Sequence, residues 1–525
     1  MFDVIRYTVG GPVAERAAAA RAGGAPWLLF VQEGAEPEAD FFDAAQLAIA
    51  CRPDAGGFEC RQLPCETQQH IDPVNLATPY MDGAAMLVRR EAYTAAGGYD
   101  TRLQGRAANL DLSFRLRGAG WGLYHLPGAV VHTPPPPDED LAAYAAAQLG
   151  PLMLSYKYGD FAQVRKADRA YRQTMKTPRH YPGVRRVLMR QYLQHFGAAM
   201  GLWNHRAPQA ARQAAQGQGG MDAPLRGTAL LPKRVRDGPK ISVVVRTHNR
   251  TDMLRDALQS IANQTYQNYE VVVVEDGAPT SRRMVREAYA HLPLCYHATG
   301  QNVGRSRAGN IGFEMATGDF INLLDDDDFF YPDHLELVAA QAAAHPGADL
   351  VICNAMAMKI QPTGPAPWPY TVARCEAIHI DRLDLFTMAQ ACQVHISGVV
   401  FKKELFRRYG GFDESMQAHE DWALWLRYLA GGRRIHPRTV DIPRATTVFT
   451  QPWQPPACKT ICSTTTRSST TPICILTSAW PKCAPITTGC WRISSTCAPW
   501  ASCSPTWRSK KTATKSGIKR DEETT

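Results

Sequence analysis

The chain has 525 residues, 45% of them hydrophobic, enough for two or three globular domains. It contains no apolar run long enough to cross a bilayer and no basic start followed by an apolar core, so a cytoplasmic protein is expected. The net charge of +9 is misleading, because residues 442–525 carry +8 and leave only +1 for the rest; nucleic acid is therefore not indicated as a partner.

In chain order, residues 1–135 read as α/β. Trp27–Val31 (WLLFV) and Ala84–Val88 are predicted strands. Glu91–Ala96 is a predicted helix ended by Gly97-Gly98, and Leu110–Arg117 an amphipathic helix. Pro134–Pro137 stops the module after only a few strands. Residues 136–235 read as a connector, with helical spacing over Leu141–Leu154 and Val184–Leu202 and a small, polar linker over Ala207–Gly220. No chemistry suggests itself there.

Residues 236–450 alternate strand and helix, which implies a parallel sheet with right-handed crossovers. Ile241–Val245 (ISVVV) and Tyr269–Val274 (YEVVVV) are buried strands. Thr251 is expected to cap a helix with Leu254, Leu258 and Ile261 on one face, and Met284–Ala290 and Arg305–Ala316 are further helices. The strand Phe320–Leu324 then runs into four carboxylates, Asp325–Asp328. Such a run either holds a divalent cation through Asp325 and Asp327 or is a solvated acidic turn before the next helix, and on its own it leaves both readings open. From Gln451 onward no period of either kind survives. Ser, Thr, Pro, Trp and seven of the 14 cysteines crowd the tail, a composition that reads as a shifted reading frame with the true end missing. The other cysteines show no zinc spacing.

Three predicted strand ends carry polar groups that a parallel sheet places side by side: Thr247-His248-Asn249-Arg250, Glu275-Asp276 and Asp325–Asp328. Asn302-Val303-Gly304 opens a helix where a phosphate or ribose can rest. His419-Glu420-Asp421-Trp422 opens another, whose N-terminus stabilises a carboxylate suited to act as a base.

Taken in order over about 210 residues, ISVVVRTHNR, SIANQTY, YEVVVVEDG, QNVG, ATGDFINLLDDDD and GGFDESMQAHEDWALWLR resemble glycosyltransferase family 2. The resemblance implies an α/β GT-A fold with a mostly parallel central sheet. It also implies inverting transfer of a sugar from a nucleotide-diphosphate donor to a hydroxyl acceptor in polysaccharide, glycolipid or glycoprotein synthesis. By motif, Thr247, Asn249, Arg250 and Asp276 would hold the nucleoside, with Gly304 at the phosphate or ribose and Arg307 a displaced phosphate contact. Asp325 and Asp327 would bind Mg²⁺ or Mn²⁺. Asp421 would be the base, with Glu420 and Trp422 lining the acceptor site. The acceptor would be a glycan, a lipid-linked sugar or a protein, and peripheral attachment to the cytoplasmic face of a membrane is compatible with the pattern.

This chain departs from the family pattern at Glu275, where an Asp is usual, and at Gly309-Asn310, where Arg-Asn is common. No later His ligand stands out except His436. Residues 1–135 read as a partial, degenerate copy that starts mid-domain. Gln32 and Gly34 fall opposite Asp325 and Asp327, and Asn109 falls opposite Asp421, where a carboxamide has no basicity. The rival readings are a non-catalytic nucleotide-sugar scaffold, an oxidoreductase (residues 246–250, RTHNR, lack the glycines it needs) and a calcium module (no EF-hand spacing follows).

Overall fold

The structure is a computed structural model that describes residues 1–8, 11–63, 71–134, 141–176, 183–216, 237–362, 370–378, 385–416, 418–431 and 447–452. Met1–Trp453 is one compact unit, while His436 and residues 453–525 of the tail discussed above lie outside the described residues.

The first module runs β1 (Phe2–Tyr7), α1 (Val13–Ala22), β2 (Trp27–Gln32), β3 (Glu36–Pro37), α2 (Phe41–Cys51), β4 (Ala55–Leu63), β5 (Ala85–Arg89), α3 (Arg90–Ala95), α4 (Gly105–Gly118) and β6 (Gly122–His132). Its sheet has the order β1-β2-β5-β4-β6-β3. The apolar run WLLFV makes β2 a fully buried central strand. Beside it, β1 was not expected. Its residues alternate Asp3, Arg6 and exposed Val4 with a single buried Ile5, so it carries no apolar run, yet it pairs in parallel with β2 from Phe2 to Tyr7.

The connector is helical: α5 (Leu141–Tyr158), α6 (Phe161–Lys176), α7 (Val184–Gln194), α8 (Phe196–Asn204) and α9 (Gln209–Gln216). The last falls in the predicted linker. Ala211 there is buried beside Tyr158, and the close approach depends on Gly118, where a Cβ would lie 2.6 Å from the backbone of Ala211.

The second module runs β7 (Ile241–Thr247), α10 (Thr251–Ala262), β8 (Tyr269–Glu275), α11 (Arg282–Ala288), β9 (Leu294–Ala298), α12 (Arg305–Met315), β10 (Phe320–Asp325), β11 (Asp328–Phe330), α13 (His334–Ala344), β12 (Leu350–Ile352), β13 (Ala355–Pro362), β14 (Tyr370–Ile378), α14 (Leu385–Gln390), β15 (Val399–Lys402), α15 (Lys403–Tyr409), α16 (Glu420–Gly431) and β16 (Thr447–Pro452). The central sheet has the order β12-β15-β10-β7-β8-β9, all parallel except β15. Thr251 begins α10 but does not cap it; its hydroxyl meets that of Ser281 at 2.9 Å. A second sheet, β11-β16-β13-β14, was not foreseen, because β16 returns to β11 and β13 from more than 80 residues away. Among the described residues no helix is long and apolar enough to cross a membrane.

The modules share a core. Phe329 and Tyr331, which follow the acidic run, and Met358 are buried in one cluster with Trp27, Phe58 and Leu126 of the first module. At the edge of this contact Arg61 grips Glu336 with two bonds, Nη1 to Oε2 at 2.9 Å and Nη2 to Oε1 at 3.2 Å. Asn263 donates to the carbonyls of Pro73 and Val74, both at 2.9 Å.

Candidate functional site

The parallel register sets Asp325 opposite Arg246 and Thr247 opposite Glu275. Arg246 becomes the hub, although sequence reasoning passed over it. Its Nη2 donates to Asp325 Oδ1 and Oδ2 at 2.7 and 3.0 Å, and its Nε donates to Oδ1 at 2.9 Å. Its Nη1 reaches Glu420 Oε1 at 3.4 Å. A buried guanidinium is costly unless paired. Burial works against its charge, but Asp325 and Glu420 outweigh burial and the pKa is raised. The ring of Phe412 lies 5.3 Å from the guanidinium carbon. That ring fits because residue 309 is Gly, where a Cβ would come within 2.6 Å of it. Asn310 fixes the same loop, accepting from Phe412 N at 2.7 Å and donating to its carbonyl at 3.0 Å. The Gly309-Asn310 departure thus has a packing cause. The one signal for Arg246 was a charge inside the apolar strand ISVVVRT.

The four carboxylates divide by face. Side chains of Asp325 and Asp327 are 30% and 39% exposed, those of Asp326 and Asp328 only 5% and 4%. Asp326 accepts from Thr247 Oγ1 at 2.8 Å and from Arg250 Nη1 at 3.1 Å; Asp327 accepts from the same Nη1 at 3.2 Å. Asp328 accepts from Ser397 Oγ at 2.5 Å, with His395 Nδ1 3.6 Å away. Burial, above all, raises Asp326 to about 6, and burial with neighbouring carboxylates raises Asp327 and Asp328. Among the described residues no three His, Cys, Asp or Glu side chains form a metal-ligand group. Asp325 and Asp327 nevertheless suit a divalent cation. They are the more exposed pair, two residues apart, with Asp325 shared with Arg246, and Mg²⁺ typically takes one or two carboxylates with substrate phosphates and water completing its shell.

Asp276 anchors the turn into α12. Its Oδ1 accepts from Val303 N at 2.6 Å and its Oδ2 from Gly304 N at 2.9 Å. Gly304 needs its φ of +92°, a conformation rare outside glycine. Glu275 is fully buried and gathers Thr280, the backbone and hydroxyl of Ser281, and Tyr296, so the longer side chain serves as an anchor for the loop after β8. Asn249 is exposed with φ +55° and meets His248, whose other ring nitrogen bonds the Asp276 carbonyl. Thr247, Arg250 and Asp276 therefore meet at one end of the sheet, each already engaged by protein groups.

At the start of α16, Glu420 is buried against Arg246, with Arg305 3.9 Å away. Asp421 beside it is half-buried, and burial followed by the charge of Glu420 raises it to about 6. His419 precedes the pair with φ +62°. Of three described non-glycine residues with positive φ, Asn249 and His419 flank this site, a strain that functional sites often hold. Trp422 is core, its indole N–H donating to the Met388 carbonyl at 2.6 Å. Arg307 lies outside the cluster and pairs with exposed Glu414 at 3.4 Å.

Residues 242–409 match the family described as Glycosyl transferase family 2. The uncharacterized glycosyltransferase YwdF of Bacillus subtilis (strain 168) is 32% identical over 188 residues, which are 36% of this chain and 67% of YwdF. The putative glycosyltransferase EpsH of the same organism is 35% identical over 127 residues, 24% of this chain and 36% of EpsH. The chain thus spans between about a third and two thirds of these relatives. Among solved structures, S. aureus TarS in complex with UDP-GlcNAc is similar with a TM-score of 0.33 at 20% identity, covering 41% of this chain and 60% of that one.

Proposed function

Because this chain belongs to glycosyl transferase family 2, we propose that residues 236–450 transfer a sugar, with inversion, from a nucleotide-diphosphate donor to a hydroxyl acceptor. The acceptor is a glycan, a lipid-linked sugar or a protein, and the setting is the cytoplasm at or beside a membrane. One observation carries this reading. Arg246 holds Asp325 and Glu420 together, so the acidic strand end and the start of α16, where Asp421 lies, form a single constellation.

Asp421 takes the proton of the acceptor hydroxyl. Its raised pKa brings it nearer to working pH, which favours a general base. Asp325 and Asp327 would hold Mg²⁺ or Mn²⁺, which when bound neutralises charge on the leaving diphosphate. Arg250, between the sheet end and the run, and the N-terminus of α12 at Gly304 are placed to receive the donor's anionic part. Asn249 and Asp276 stand at the nucleoside end. The first module is, in this reading, a degenerate copy without catalysis.

The test is a thermal-shift screen of nucleotide sugars with and without Mn²⁺, followed by transfer with the hits. Stabilisation that needs Mn²⁺, with release of the nucleoside diphosphate, supports the enzyme. Asp327→Asn should then lose the Mn²⁺-dependent part of donor affinity by calorimetry while melting as the parent does. The competing reading, a scaffold that binds without turnover, is favoured by Thr247 and Asp276 being bonded within the protein. Binding with no consumption of any donor would select it.

A further inference from the structure

The connector presents an apolar stripe to the outside. His195 keeps helical dihedrals between α7 and α8, accepts at its carbonyl from Ala199 N at 2.8 Å and donates its N–H to Gln191 O at 3.0 Å. The two segments are therefore one continuous helix from Val184 to Asn204. Its inner face is settled: Leu188 is buried in the cluster with Ala145 and Leu152 of α5, and Ala199 and Leu202 are buried in the first module's core. On the outer face Met189, Leu193, Phe196 and Met200 are 49, 65, 49 and 52% exposed. Their spacing of four, three and four residues puts them on one side of a helix. Scattered exposed apolar residues are ordinary, but an aligned stripe marks an interaction site.

The flanking charge says what covers it. Arg185, Arg186 and Arg190 are exposed on the same helix, and no Asp or Glu lies between Gly183 and Asn204. Neighbouring α6 adds exposed Arg165, Lys166, Arg169 and Arg172, with Phe161 67% exposed at its start. Residues 141–216 hold twelve Lys and Arg against two Asp, a local excess that the near-neutral sum of the first 441 residues conceals. A protein partner's apolar groove would match the stripe but gives no reason for this positive excess. A sheet of anionic headgroups over acyl chains matches both features. Arginine stems lie along apolar surface with their heads in the phosphate layer, while Met, Leu and Phe enter below it.

We propose that the outer face of α7 and α8, flanked by α6, docks the protein on an anionic lipid surface, with the stripe Met189-Leu193-Phe196-Met200 inserted at the headgroup boundary. The inference deepens the membrane-side setting proposed above. Its test reads binding rather than turnover, so the two fail separately.

The experiment is flotation of the full chain with vesicles of phosphatidylglycerol and phosphatidylcholine, against vesicles of phosphatidylcholine alone. The expected result is binding to the anionic vesicles only, weakened by high salt. The double variant Leu193→Glu, Phe196→Glu should bind about tenfold more weakly or worse, since it removes the inserted pair and adds like charge. Arg186→Glu, Arg190→Glu should weaken binding similarly while leaving the stripe intact. These positions are exposed, so both variants should melt as the parent does. Binding to anionic vesicles that neither variant weakens would place the contact elsewhere, in the basic residues after 442 for instance, and overturn the proposal. So would no vesicle binding at all, or a parent that self-associates through this face and loses only that association in the variants.

Discussion

At the end of β10, Asp325 is linked to Glu420 at the start of α16, because Arg246 bonds both and so joins strand to helix. At the end of β2 stand Gln32 and, two residues on, Gly34, while Asn109 lies on α4. Around these two ends the sheets are built alike. The order β4-β5-β2-β1 repeats β12-β15-β10-β7, with β5 and β15 each antiparallel to both neighbours. An arginine again approaches the helix, but Arg16 lies against the rings of Tyr7 and Tyr99, and its Nη1 meets Asn109 Oδ1 at 3.4 Å. Asn109 also accepts from the Tyr99 hydroxyl at 3.1 Å. A carboxamide satisfies those donors without supplying a base. The sheets differ at one edge too: β8 and β9 continue beyond β7, whereas β1 ends its sheet. Apolar runs build the shared frame. The second module adds a few polar residues at its strand ends and two further strands, with Asp276 directly after the first of them.

Four changes sharpen or break that contrast. The largest effect should come from making the second module resemble the first at its helix. Asp421→Asn keeps the shape and removes the base, and turnover should fall about 10²–10⁴-fold with donor affinity nearly unchanged. The parent's turnover should also fall as pH drops through about 6, because the raised pKa leaves Asp421 protonated and unable to accept below that value. That limb should vanish in the variant. Near-parent turnover would assign the base elsewhere, and Glu420→Gln would be the next variant to measure.

Arg246→Met comes second. It leaves Glu420 buried and Asp325 without its pair, and losing one member of such a group costs about 3–5 kcal/mol. Chemical denaturation without metal measures it, and a loss under about 1 kcal/mol would demote Arg246 from hub to bystander. Third, Arg61→Ala cuts the grip of the first module on Glu336. Charged hydrogen bonds of this kind contribute about 1.5–3 kcal/mol, and a full-chain melt should move accordingly. The smallest effect expected is none. Gln32→Asp, Gly34→Asp and Asn109→Asp together should leave nucleotide-sugar stoichiometry at one per chain by calorimetry, because strands matching β8 and β9 are missing. A second, Mn²⁺-dependent site would show that three side chains, not two strands, separate the modules.

Much of this frame could be read in advance. ISVVV, YEVVVV and FINLL lie in β7, β8 and β10, and the polar ends do converge as a parallel sheet requires. The residues that escaped notice owe their positions to distant partners. Arg246 acquires its role only when the register sets it beside Asp325, and Glu420 arrives from 174 residues away. Phe412 matters only through Gly309. Trp422 and Glu420, expected at the acceptor, face inward because α14 and Arg246 provide partners that no local pattern reveals.

The common core has a consequence for how this protein can vary. Phe329 and Tyr331 follow directly on the carboxylates, one on each side of Phe330 in the chain, and their rings pack against the first module's side chains. Excision of residues 1–135 would strand two aromatic rings in water beside the acidic run. The first module's back, at Phe58 and Leu126, packs in the same cluster as the residues that follow the acidic run. The first module thus serves as one wall of the second.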